Sequence, residues 1–250
     1  SAIINSGTKF SRLSWDITNS YRKRVSSNRR DNKMYNSIIG GGYSLNRKIS
    51  AVGSVGYTKR NAQSGTSNFS GIVWNAGVIL TPGPRTSLEL RIGESYFGRT
   101  YIVNGRYIIT PQLNFTINYN DRLNTYQTLI LDSFLAGQNN AAAVQQGYID
   151  NVFVRRKLWT ARLTGTRGRS TIALTARNAN LSSEIATRNQ NRNTFGVTWT
   201  RRMTTNMSIN ASAYYIEIDF KSDRQKDKYI SYSAGMDYNI SRSLIGTVEY

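Results

Sequence analysis

The side chains that most enzymes use for acid–base and nucleophilic chemistry are scarce in this sequence. Its 250 residues include no histidine and no cysteine. This excludes sites that need a histidine general base, thiol nucleophiles, disulfides and haem attached through Cys-x-x-Cys-His. Paired carboxylates such as Asp16 and Glu89 could in principle cleave glycosidic bonds, but charges that pair with nearby arginines are the simpler interpretation. We therefore predict no enzyme activity, no catalytic residue, no metal site and no cofactor.

Basic residues are the strongest positive signal. Lys and Arg number 33 against 14 Asp and Glu, a formal net charge of +19. One group lies in polar connections, where we expect contact with lipopolysaccharide or surface polymer: Arg22, Lys23, Arg24, Arg29 and Arg30. A second group falls on polar positions of predicted strands, and together with two acidic residues it would line a pore: Arg12, Asp16, Glu89, Arg91, Arg106, Arg162, Arg177 and Arg202. Arginine rings favour anions over cations. Because basic residues are dispersed and no binding motif is present, nucleic acid is not an expected partner.

Alternation of apolar and polar residues between turn signals predicts the elements that position these side chains. The predicted strands are 9–22, 34–45, 49–59, 69–81, 86–97, 100–109, 113–121, 152–165, 171–181, 193–203, 206–219, 229–239 and 243–250. Tight turns, among them Asn46-Arg47 and Arg167-Gly168-Arg169, alternate with long polar connections. The long connections are 23–33, 60–68, 121–150, 182–192 and 220–228, and the connection near Gly98 is short. This alternation is typical of an up-and-down barrel whose two rims differ.

These patterns predict a transmembrane antiparallel up-and-down β-barrel of the all-β class in a bacterial outer membrane, forming a single domain over residues 1–250. No segment has the roughly 18 to 20 apolar residues of a membrane-spanning helix. A soluble β-sandwich is the alternative, and it would bury Leu90 under a second layer and expose Arg91 to bulk solvent. We expect about 14 visible strands, in a fragment of a barrel with 14 to 16. If the complete barrel does not have 16 strands, the alternative is a 14-stranded barrel closed by the first short strand.

Two further predictions concern particular segments. The tryptophans Trp15, Trp74, Trp159 and Trp199 form a membrane girdle, and the first three lie about eight residues from a tight turn, hence at one height. The long insertion 121–150 has an apolar run that should pack somewhere. It either folds into the barrel mouth as a constriction or plug, or packs over the rim or against a partner. The residues of the plug would be Leu129, Leu131, Phe134 and Leu135.

A family resemblance rests on two stretches, RTSLELRIGESYFGRTY at 85–101 and NVFVRRKLWTARLTGTRGR at 151–169. They resemble outer-membrane β-barrel porins associated with PEP-CTERM and exopolysaccharide gene clusters. The resemblance implies a barrel that serves polysaccharide or extracellular-matrix export, and it identifies no functional residue. With the charge, it predicts an outer-membrane pore or export conduit with an anion-favouring lumen, for acidic exopolysaccharide, in contact with outer-membrane lipid and export machinery. The alternative is a non-conducting scaffold barrel whose loops bind surface polymer or partner proteins.

Overall fold

Every element of the described chain is a β-strand. The computed structural model describes residues 2–6, 12–24, 32–62, 69–95, 97–125, 153–183, 189–221, 226–239 and 245–249. Its strands are β1 (Ala2–Asn5), β2 (Leu13–Arg24), β3 (Asn32–Ser44), β4 (Ile49–Ala62), β5 (Phe69–Gly83), β6 (Thr86–Ser95), β7 (Gly98–Thr110), β8 (Leu113–Thr125), β9 (Phe153–Arg167), β10 (Ser170–Ser183), β11 (Gln190–Arg202), β12 (Met207–Phe220), β13 (Lys226–Asn239) and β14 (Ile245–Glu249). Within these ranges no helix is long and apolar enough to cross a membrane.

The chain divides into two compact units, residues 1–104 and 105–250, and the boundary falls inside β7. In the first unit, β1 to β6 each pair antiparallel with the next strand in sequence. In the second unit, β8 to β14 do the same. Each unit is therefore an up-and-down meander, because every described pairing joins consecutive strands. The predicted antiparallel up-and-down arrangement and the predicted number of strands are confirmed.

Several strands are longer than the sequence predicts, because cross-strand pairing continues into the polar connections. Strand β8 was predicted to end at residue 121, but it runs to Thr125, and Arg122 pairs with Arg156 of β9. Strand β11 was predicted to begin at residue 193, but it begins at Gln190, and Arg192 pairs with Ile218 of β12. These extensions place additional arginines within the sheet.

The short turns have recognisable local causes. The side chain of Asn46 accepts hydrogen bonds from the backbone N–H groups of Lys48 and Ile49 at 2.7 and 2.9 Å, which closes the β3–β4 turn as an Asx turn. Gly168, between β9 and β10, has a φ of 59°, in the left-handed region that glycine adopts without steric cost. At the end of β5 the register with β6 shifts between Leu80 and Gly83, around a proline that has no N–H to donate.

The two faces of the sheet differ sharply in composition. We call the face that carries the large apolar side chains the apolar face and its opposite the polar face. The apolar side chains are exposed: Ile72 is 69% exposed, Phe195 55% and Tyr232 75%. Leu90 is 39% exposed, whereas the Arg91 side chain on the polar face is 26% exposed. The soluble sandwich is therefore wrong, since it requires the opposite distribution of burial. Extended exposed apolar surface is instead typical of contact with lipid.

Most of the buried positions lie on the polar face, with Asp121 on the apolar face as an exception. In the second unit they include Ala173, Thr194 and Ile216, which are 2%, 4% and 2% exposed. Gly196 is buried beside them, and the ring of Tyr214 from the neighbouring strand β12 lies where a β-carbon on Gly196 would be. An aromatic side chain that covers a glycine on the next strand fills the space of the missing side chain and fixes the register.

Candidate pore-lining surface

In the first unit, an ion pair at the middle of the polar face joins Glu89 and Arg91 of β6. Arg91 Nε donates to Glu89 Oε1, and Arg91 Nη1 donates to the side-chain oxygen of Asn75 at 3.3 Å. The other carboxylate oxygen of Glu89 accepts a hydrogen bond from the side-chain amide of Asn104 at 2.8 Å. Both charges lie on the polar face, as predicted. Because they neutralise each other, this part of the wall has little net charge.

The other two predicted wall charges of the first unit are Arg12 and Asp16. Asp16 lies on the polar face of β2 directly opposite Gly40 of β3. A β-carbon on Gly40 would lie 2.5 Å from Asp16 Oδ1, so the carboxylate occupies the space that the glycine leaves open. A glycine run inside a strand pattern, such as Gly40-Gly41-Gly42, indicates a bend or the close approach of another group, and at Gly40 it is a close approach. Arg12 is exposed and immediately precedes β2.

The second unit holds the remaining predicted arginines. Arg162 of β9 and Arg177 of β10 lie on its polar face near the middle of their strands, facing threonines on the neighbouring strands. Arg106 is exposed on β7, and Arg202 is exposed at the last residue of β11, next to a short turn. Of these four predicted arginines, the structure therefore brings only Arg162 and Arg177 close to each other.

Three arginines that the sequence did not identify complete this region. Arg122, Arg156 and Arg192 lie on the same polar face as Arg162 and Arg177. Arg122 and Arg192 were assigned to long connections because the strands were predicted too short. Arg156 lies within the predicted strand 152–165 and shares the phase of Arg162, so the alternation itself contained the signal that would have found it.

These five residues, Arg122, Arg156, Arg192, Arg177 and Arg162, form what we call the arginine ladder. In the cross-strand register of β8 to β11 they occupy four consecutive rows of the polar face. Rows on one face are about 6.6 Å apart, so the ladder extends over about 20 Å. Its first row has two arginines, because Arg122 and Arg156 are directly opposite each other. Arg192 is half-buried and has Arg156 and Arg177 as its charged neighbours.

On the described polar face of β8 to β11 no acidic residue accompanies the arginine ladder. Apart from Arg202 at the end of β11, the other positions there are threonine, asparagine, glutamine, serine, glycine or apolar residues. Like charges directly opposite each other destabilise a sheet, so this arrangement costs folding stability. Guanidinium groups bind carboxylates, phosphates and sulfates through paired hydrogen bonds. The ladder therefore offers successive binding positions for anions along one wall.

The four tryptophans differ in how far each lies from the end of its own strand. Trp74 and Trp159 are 43% exposed on the apolar face and lie well inside β5 and β9. Trp15 lies at the short-turn end of β2, where its backbone N–H and C=O bond to Ser6 and close the β1–β2 hairpin. The β1–β2 hairpin closes nearer to Trp15 than the sequence indicates, and the common height of Trp15, Trp74 and Trp159 stays a prediction. Trp199 also lies near a short-turn end, that of β11.

The remaining predicted residues fall at or beyond the strand ends. Arg22, Lys23 and Arg24 were assigned to a long connection, but they are the last residues of β2 and pair with Met34, Lys33 and Asn32 of β3. The Lys23 side chain is exposed. Six further predicted residues lie outside the described residues, namely Arg29, Arg30, Leu129, Leu131, Phe134 and Leu135.

No family model matches the chain, and no curated protein matches it. Several solved structures are similar to it. OccK8 (OprE) of Pseudomonas aeruginosa is 9% identical over 96% of this chain and 73% of its own, with a TM-score of 0.51. The ferric-catecholate import receptor Fiu from E. coli K12 is 10% identical over 95% of this chain and 42% of its own, with a TM-score of 0.52. OmpT, an outer membrane protein of Vibrio cholerae, is 11% identical over 100% and 88%, with a TM-score of 0.44.

The likeness concerns the fold. OccK8 and Fiu are outer-membrane β-barrel proteins, and the all-β antiparallel meander of this chain matches theirs. The fold class predicted from the sequence is therefore confirmed, and the predicted outer-membrane location agrees with it. The resemblance to porins of exopolysaccharide gene clusters stays a prediction.

Proposed function

We propose that this chain forms a non-enzymatic outer-membrane pore whose polar face lines an anion-favouring passage. The observation that carries the proposal is the arginine ladder of β8 to β11, which no acidic residue accompanies on the described polar face of those strands. A wall of fixed positive charge raises the local concentration of anions and opposes the entry of cations.

The spacing of the ladder suits a polymer better than a single small ion. An anionic group held at one row has the next row within about 6.6 Å. Repeating carboxylates on a sugar chain could therefore exchange contacts from row to row, since several moderate sites allow both entry and release. Acidic exopolysaccharide is the substrate class that we propose, on the basis of this charge pattern together with the sequence resemblance.

Planar-bilayer recordings in a salt gradient test the anion preference. We expect the wild-type reversal potential to indicate anion selectivity, and the double variant Arg122→Gln/Arg192→Gln to shift it toward zero. Arg167→Gln is a matched control, because it removes the same kind of charge from the apolar face at the far end of β9. A cation-selective wild type would contradict the proposal. The absence of any channel would favour the scaffold barrel.

The ion pair of the first unit provides an independent test of the same idea. In Glu89→Gln the carboxylate that neutralises Arg91 is lost, while the amide can still accept hydrogen bonds. We expect stronger anion selectivity in the same recordings, because the polar face gains one net positive charge. A shift toward cations would show that this pair does not face the passage.

A further inference from the structure

The apolar face of the second unit carries an open groove of about 590 Å³. Small side chains, including Ala161, Ala176 and Ala213, alternate there with large ones, and Phe195 and Tyr232 stand beside them. The volume is within the range of small-molecule sites. Because most of the residues that line it are apolar and lie on the exposed apolar face, the groove fits a hydrocarbon chain.

Polar side chains interrupt the apolar face one row beyond the groove. Along β10 and β11 the row after Ala176 and Phe195 is Asn178 and Asn193. The side-chain amide of Asn178 donates to the side-chain oxygens of Asn193 and Asn191 at 2.7 and 3.0 Å. These three amides form an ordered group at the end of the groove, and amides of this kind bind sugar hydroxyls and phosphate oxygens.

The same row is aromatic on the neighbouring strands. Tyr119 of β8 and Trp159 of β9 pack with ring centroids 4.4 Å apart and an interplanar angle of 38°. Tryptophan and tyrosine favour the level at which lipid headgroups begin. The row of Trp159, Asn178 and Asn193 therefore marks the boundary between hydrocarbon and headgroups on this face.

A lysine supplies positive charge at the next row. Lys157 lies on the apolar face two residues before Trp159 and is exposed. The carboxylate directly opposite it, Asp121, is held by Arg155, whose Nε and Nη2 donate to the two carboxylate oxygens at 2.9 and 2.7 Å. On its other side Lys157 lies opposite Asn180 of β10, which puts it in the same row as Asn191, at the level where a lipid phosphate would lie. The carboxylates of β12 that face Asn191 and Asn193, Asp219 and Glu217, are in turn opposite Lys226 and Lys228 of β13.

We propose that the groove and this polar group, which consists of Lys157, Asn178, Asn191 and Asn193, together bind one phosphorylated, acylated glycolipid. One acyl chain lies in the groove, a sugar contacts the asparagine amides, and a phosphate contacts Lys157. The polar group lies on the side of the groove toward the long connections, which face the exterior in outer-membrane barrels. The ligand is accordingly a glycolipid of the outer leaflet. Of the ladder residues only Arg162 borders the groove, and none of the proposed ligand contacts involves it, so the site does not depend on conduction.

Native mass spectrometry of the whole chain in detergent tests the site, with bis-phosphorylated lipid A as the probe and phosphatidylglycerol as the comparison lipid. We expect Lys157→Gln to weaken lipid A binding about fivefold, the effect of one lysine near an anionic surface. Ala176→Phe should abolish binding, because the ring fills the groove. The matched controls are Arg167→Gln on the same face of β9 and Ala76→Phe on the apolar face of β5. Both controls should bind as the wild type does.

Each outcome has a clear meaning. Unchanged lipid A binding in both Lys157→Gln and Ala176→Phe would overturn the proposal. A further outcome is that phosphatidylglycerol binds the wild type as tightly as lipid A does and loses that binding in the same two variants. That result would overturn the sugar contact and with it the identification of the ligand as a glycolipid. Electrophoretic mobility without heating shows that each variant is folded, so that a loss of binding is not a loss of structure. Channel selectivity should be unchanged in Lys157→Gln, which separates this site from the proposed pore.

Discussion

Replacing Arg192 by glutamine should make the folded protein more stable, which is unusual for a half-buried arginine in a sheet. Its charged neighbours are Arg156 and Arg177, and the described polar face of its strand and of the strands β8 to β10 carries no carboxylate. A like-charge pair directly opposite across two strands costs up to about 1 kcal/mol. Arg177 is only diagonal to Arg192, and Arg156 lies one row away on the strand beyond, so each of these repulsions is weaker. Together, partly screened by solvent, they amount to about 1 kcal/mol at most, and Arg192→Gln should raise the free energy of unfolding by up to that amount.

Reversible urea unfolding from lipid vesicles at low ionic strength measures this gain. A stabilisation of 1 kcal/mol corresponds to a rise of about 2 to 4 °C in the melting temperature of a chain of this size. The gain should shrink in 1 M salt, where the Debye length falls to about 3 Å. Arg167→Gln, which removes a charge from the apolar face, should show no comparable gain.

Two results would refute the reasoning. If Arg192→Gln is less stable than the wild type at low salt, Arg192 makes favourable contacts that outweigh the repulsion. If the gain is the same in 1 M salt, its origin is not electrostatic. Together with reduced anion selectivity, a salt-sensitive gain would show that the chain gives up stability in order to keep the arginine.

Two further predictions concern the packing at Gly196 and the ion pair between Asp121 and Arg155. Gly196→Ala should destabilise the fold by about 1 to 3 kcal/mol, because the new methyl group meets the Tyr214 ring; Gly71→Ala, where no atom lies within 4 Å, should cost far less in the same urea titration. Asp121→Asn should cost about 3 kcal/mol, because it leaves the Arg155 charge without its carboxylate. The double variant Asp121→Asn/Arg155→Gln should recover part of that loss, and no recovery would show that the pair is not coupled.

The sequence predicted what depends on alternation within one strand. Trp159 and Arg162 have opposite parity on β9, and the structure places them on opposite faces, the first exposed among apolar side chains. The close approach at Gly40 was likewise visible, because a glycine inside a strand pattern indicates that another group comes near it.

What the sequence did not predict depends on which residues are neighbours across strands. Arg122 and Arg192 are polar residues beside polar connections, and only pairing with Arg156 and Ile218 shows that they belong to strands. The β1–β2 hairpin closes through hydrogen bonds between Trp15 and Ser6, which are likewise a matter of cross-strand neighbours. Local patterns contain no such register information.

The ladder is built only from arginine, and this choice has a chemical consequence. A guanidinium group keeps its charge at any pH that the protein survives, whereas a lysine amine can lose it. Selectivity that arises from Arg162, Arg177 and Arg192 should therefore persist into alkaline solution. Reagents that acylate amines should modify the exposed Lys157 and leave the ladder intact. A single labelling reaction can thus neutralise Lys157 on the apolar face while the arginine ladder on the polar face keeps its full charge.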